Sequence, residues 1–200
     1  MKAVLFASLL TLAVLPMCKP DVTTTTATSA TSPNSPAAVR AQFDILRDSA
    51  DANWTRMIGS DDKKLADLRE LLQDLSKTPG ANQAQLASLR QARTRVQDQR
   101  YDRQSMASSA RIDHYDAAQD SVLKIVYPIA APDGNAPTER IRDYVEAIQL
   151  ADNNVVSYRA HYDAAAKAYN NYLQVHREEL TKMGGKYAQL QALPLFELGQ

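Results

Sequence analysis

The chain has 200 residues, with 23 Lys+Arg against 23 Asp+Glu, so its formal net charge is zero and no basic block marks it as a binder of phosphate backbones. Alanine is abundant, at 31, while glycine (6) and aromatic residues (6%) are scarce. Alanine is the best helix former and scarce glycine means few tight turns, which argues against an all-β fold. One cysteine excludes an internal disulfide and a cysteine-based zinc cluster.

The first 36 residues read as address and tether. Met1-Lys2 supplies a positive start, and Ala3 to Met17 is an uncharged apolar run. Fifteen helical residues rise only about 22 Å, short of a ~30 Å hydrocarbon core. The run therefore predicts a signal peptide over 1–17 rather than a permanent span. Leu15-Pro16-Met17-Cys18 resembles a bacterial lipobox, with Met17 standing where a smaller residue is usual. That resemblance implies lipidation at Cys18. The plainer alternative is a short anchor or a secreted chain in which Cys18 is an ordinary apolar residue. Lys19 to Pro36, KPDVTTTTATSATSPNSP, has Val22 as its one larger apolar residue. It cannot bury enough surface to offset its ordering entropy, so 18–36 is predicted to be a disordered Thr/Ser/Pro linker behind the lipidated cysteine.

A folded domain is predicted over 37–200. Val39, Phe43, Leu46, Ala50, Trp54 and Met57 step by three and four, and the stripe resumes at Leu65, Leu68, Leu72 and Leu75. This is one amphipathic helix, or two joined at Gly59, closed by Thr78-Pro79-Gly80. A second long helix is predicted from Asn82 to Tyr127, with Leu86, Leu89, Val96, Met106, Val122 and Ile125 on its apolar face and Pro128 as its stop. Its middle, Gln97 to Asp116, is weak: either a thin alanine/serine seam or a stretch projecting into water. The third helix is the clearest. Thr138 is a candidate N-cap. The seam then runs through Val145, Ile148, Asp152, Val155, Arg159, Tyr162, Ala166, Tyr169, Leu173, His176 and Leu180 to Gly184-Gly185, in coiled-coil-like steps of four and three. A short helix over Lys186–Ala192 and an apolar tail, Leu193 to Leu198, are expected to dock on the rest. The predicted architecture is all-α: an elongated antiparallel bundle of three long helices plus a short C-terminal one.

Arg159-x-x-Tyr162-Asp163-x-x-Ala166-x-x-Tyr169-Asn170 resembles the C-terminal signature of the LemA family. Tyr127-Pro128, Ala92-Arg93, Trp54, Asp67-Leu68 and Phe196-Glu197 fall where that family carries similar residues. The departures are Asp163 and Ala166 where Asn and Val are usual, His176-Arg177 for a Phe-Pro, and Arg69-Glu70 for an Ile-Pro. The resemblance implies a divergent LemA-like helical bundle, held at a bacterial membrane by its N-terminus and facing out of the cytoplasm. It implies no catalytic residues.

The residues themselves offer little chemistry. Tyr162 and Tyr169 lie seven apart, nearly on one helix face, with Arg159 and Asn170 in reach as partners for their hydroxyls. The set reads as a polar ladder fixing helix register, or as a ligand-binding groove lined by phenols. Asp152 and Arg159 are expected to meet charges on the earlier helices, such as Arg93 or Asp67. His114, His161 and His176 lack the Glu-x-x-His pairs of a di-iron bundle, so no metal and no cofactor is expected. No strained nucleophile turn or glycine-rich phosphate loop is present, so no enzyme is expected. The sequence thus predicts a membrane-tethered scaffold or interaction protein of the bacterial cell envelope, working through an envelope protein partner and not through nucleic acid. The alternative is a small-ligand-binding lipoprotein using a groove around Arg159, Tyr162 and Tyr169. Lys19-Pro20, in place of an aspartate after the cysteine, points to the outer membrane where the host has one.

Overall fold

The computed structural model describes residues 35–196. The leader, Cys18 and the linker up to Asn34 lie outside the described residues, as do Glu197 and Leu198. Four α-helices follow in order: α1 (Pro36–Leu75), α2 (Gln83–Asp98), α3 (Ser109–Ala130) and α4 (Glu139–Lys182). No strand occurs among the described residues, so the all-α expectation holds.

Local chemistry sets the helix starts. The Ser35 hydroxyl accepts the Ala38 N–H and Pro36 occupies the first turn, where a missing N–H costs nothing. Asn82 accepts from Gln85, and Thr138 from Ile141 as expected. Gly59 does not divide α1: it is exposed in an unbroken helix of 40 residues, about 60 Å long.

The two long helices run antiparallel. Val39 meets Tyr172, Phe43 meets Tyr169, Trp54 meets Tyr162, Lys64 meets Asp152 and Asp74 meets Arg140, so partners descend along α4 as they ascend along α1. Helix α2 folds back along the second half of α1, where Arg90 donates to the Leu72 carbonyl and Arg93 to that of Leu65. Helix α3 then returns beside the first half of α4, and all four helices share one core. Leu65, Leu68, Leu71, Leu72, Leu86, Leu89, Val122, Val126, Ile141 and Ile148 are buried there. Each fully buried aliphatic side chain contributes about 1.5–3 kcal/mol. A second, smaller core joins Val39 and Phe43 to Tyr169, Leu173, Leu180 and Tyr187.

Three expectations need correction. The long second helix is two helices. Between them Asp102 folds its carboxylate onto the N–H groups of Gln104 and Ser105, making an Asx turn that competes with the helical ladder. Tyr101 and Met106 are buried on either side, so the weak segment is neither a seam nor a projection. Pro128 does not stop α3. It removes one N–H from the last turn, and the helix continues to Ala130, which is fully buried. The short C-terminal helix is absent: Gly184 and Gly185 take left-handed φ of 68° and 56°, a 3₁₀ turn covers Gly185–Tyr187, and the chain then runs extended. The bundle is therefore two long helices, two shorter ones and an extended tail.

Candidate functional site

Beyond the four-helix part, α1 and α4 would leave a groove with no third wall. The tail fills it. From Leu190 to Phe196 it runs back along α4, and six side-chain hydrogen bonds from α4 hold it. Arg177 donates to the Leu190 carbonyl (3.3 Å), Tyr169 to Gln191 (3.3 Å) and Tyr162 to Pro194 (3.1 Å). The Asn170 amide clamps Leu193 from both sides, donating to its carbonyl at 2.8 Å and accepting its N–H at 2.7 Å. Asp163 accepts the Phe196 N–H at 2.9 Å. Every one of these bonds ends on the tail's main chain. An extended segment without neighbours of its own kind needs such partners for its N–H and C=O groups.

At Phe196 the tail meets an aromatic box. The Phe196 ring sits edge-on to Tyr101 (5.8 Å) and Tyr162 (5.9 Å), with the Arg159 guanidinium 5.4 Å from its centre. Tyr162 also meets Trp54 at 5.4 Å, and Arg103 lies over Trp54 while pairing with Asp51. Arg159 is 4% exposed and is held by a fork of 2.7 and 2.8 Å bonds to Asp116, with Tyr101 as a third partner. Burial alone would lower its pKa; Asp116 and Tyr101 outweigh that and raise it. Burial lifts the Tyr162 phenol to about 12, so its hydroxyl is a donor throughout the physiological range. Burial also raises the pKa of Asp163, against the pull of the Phe196 N–H.

A second polar cluster lies one to two turns away, between α1, α3 and α4. Lys64, 4% exposed, reaches Asp152 at 3.2 Å and Asp61 at 3.8 Å, and Tyr115 donates to Asp61. The space these groups enclose with Arg100 and Arg159 is about 20 Å³, room for a single water.

The predicted site residues are thus brought together, with partners the sequence did not indicate. Tyr162, Tyr169 and Asn170 do share one face, but they serve the tail, not one another. Asp152 meets Lys64, and Arg159 meets Asp116; neither meets Arg93 or Asp67, because Arg93 is spent on the Leu65 carbonyl and Asp67 pairs with Lys63. Tyr101, Asp116 and Lys64 escaped notice. The first two fall in the weak middle segment, and a lysine on an apolar stripe reads as an interruption. Cys18 lies outside the described residues. Among the described residues no group of His, Cys, Asp and Glu side chains is arranged to hold a metal ion, and no helix is long and apolar enough to cross a membrane. Comparison with models of known families, with curated proteins and with solved structures finds no match for this chain.

Proposed function

We propose that the chain is a membrane-tethered helical scaffold or interaction protein of the bacterial cell envelope, a divergent LemA-like protein without enzymatic activity. The observation that carries this reading is the order of parts in the sequence. A short apolar leader ends in Cys18, a Thr/Ser/Pro spacer follows, and a helical domain comes next. The composition of Lys19–Pro36 predicts a disordered spacer, and eighteen disordered residues have a reach of roughly 20–25 Å, enough to hold a domain clear of lipid headgroups. The buried and half-buried polar side chains also support a structural role. Arg159, Lys64, Tyr162, Tyr169, Asn170 and Asp163 are bonded to other parts of the same fold.

Metabolic labelling with a clickable palmitate tests the tether. The wild-type chain takes up label and fractionates with membranes, whereas Cys18→Ser takes up none and is released. Equal labelling of the two, or a wild-type chain found free in the medium, refutes the tether. Affinity purification after mild detergent extraction tests the partner: a protein that co-purifies in stoichiometric amount supports the reading, and repeated recovery of the bait alone counts against it.

A further inference from the structure

The small polar space between α1, α3 and α4 carries a charge that its ion pairs leave unsettled. Lys64 and Arg159 line it with side chains only 5% exposed, and Arg100 lines it from the turn after α2. Their carboxylate partners lie on the solvent side. The side chains of Asp152, Asp116 and Asp62 are 40%, 38% and 56% exposed, and none of the three lines the space. Water screens those carboxylates, whereas the buried cations keep most of their field inside. The one carboxylate in the lining is Asp61. It already takes the Tyr115 hydroxyl and the Gln119 amide, and it sits beside Lys64 and Arg100. Three cations thus face the space against one anion.

The hydrogen bonds are out of balance in the same sense. Arg159 donates through both Nη atoms to Asp116 and through one of them to Tyr101, but its Nε is buried without a partner. Lys64 makes one hydrogen bond, to Asp152, of the three that an ammonium can donate. Tyr101 accepts from Arg159, and burial raises its pKa, so its own O–H is kept for donation. Donors therefore outnumber acceptors around the space. A water would answer the donors but not the charge. A small anion answers both, because it accepts from every side and donates nothing. The volume, about 20 Å³, suits a ligand the size of a water or slightly larger, which excludes phosphate, sulfate and organic acids.

We propose that this space is a binding site for a single halide ion, chloride being the natural one, held by the Arg159 Nε, the Lys64 ammonium and the Tyr101 hydroxyl. The three donors come from α4, α1 and the turn between α2 and α3. The bound ion ties these elements together and stabilises the folded chain as its concentration rises. The site needs neither the lipid tether nor a protein partner, so its test stands apart from theirs.

Thermal unfolding of the full-length chain is measured in sodium chloride, sodium bromide and sodium gluconate at equal ionic strength, which holds screening constant. Chloride and bromide are expected to raise Tm saturably, by about 2–5 °C over gluconate. Chloride NMR provides a direct readout: the protein broadens the chloride line, and added bromide sharpens it again by competition. Tyr101→Phe keeps the ring beside Phe196 and removes one donor, and it is expected to move the midpoint of both responses to about tenfold higher halide. Lys64→Met removes a buried charge at similar volume and is expected to abolish them. Should Lys64→Met lose its helical far-UV signal, Tyr101→Phe decides alone. Equal Tm in the three salts overturns the proposal and leaves a water as the occupant. A halide response that Tyr101→Phe does not shift also overturns it, since the ion would then bind elsewhere.

Discussion

At Asp163 two demands conflict. Its Oδ1 accepts the Phe196 N–H, which favours the charge, while burial opposes it and prevails, leaving the carboxyl pKa raised. A carboxyl raised on folding contributes stability that is complete below its unfolded value, near 4, and is lost as pH rises through the folded value. At pH 7 the ionised side chain is therefore a liability. Asp163→Asn keeps the acceptor and removes the charge. It is expected to raise Tm at pH 7 and to lose that advantage as the pH falls towards about 4. A Tm gain that persists unchanged in acid, or a loss at pH 7, would show that the charge is not what burial penalises here. The sequence marked this neighbourhood through the spacing of Tyr162, Tyr169 and Asn170. It could not name their partners, because the tail carbonyls lie 22 to 32 residues further along the chain and contribute no side-chain signal. Arg159 was legible as a charge on a buried seam that must find an opposite. That its partner is Asp116 depends on the turn between α2 and α3, which no periodicity encodes.

Elements were legible where their ends carry strong punctuation. Pro36, Thr78-Pro79-Gly80, Thr138 and Gly184-Gly185 fall at or beside real boundaries, and the stripes of α1 and α4 match the buried residues closely. The break between α2 and α3 has neither glycine nor proline. It is made by Asp102 capping its own neighbours and by Tyr101 and Met106 turning into the core, an outcome decided by packing. Pro128 misled in the opposite sense, because a proline near a helix end sacrifices one bond and a buried continuation can outweigh it. Gly59 offers the cleanest test at this scale. It lies exposed within α1, and an added Cβ would meet nothing within 4 Å. Gly59→Ala is therefore expected to stabilise by about 0.5–1 kcal/mol, read from urea or thermal unfolding, through the lower entropy of the unfolded chain and the better helix propensity. A destabilised variant would mean that α1 needs its flexibility there.

The molecule as a whole is organised by its most distant pairing. Helix α1 packs chiefly on α4, and the Tyr172 hydroxyl reaches the Val39 carbonyl across 133 residues of sequence. Helices α2 and α3 cover only half of α1. A fragment of residues 35–130 therefore leaves Val39, Phe43 and Trp54 without the tyrosines of α4 and without the second core. It is expected to show no cooperative thermal transition by circular dichroism, while the full chain melts sharply; a sharp transition in the fragment would make α4 an accessory to an already stable unit. The same arrangement governs biogenesis. Contacts between remote positions are slow to form, because the intervening loop must close first. While the ribosome is still making the middle of this polypeptide, the first half of α1 has no helix to pack on. The nascent protein therefore commits to its full shape only after the last long helix has been made.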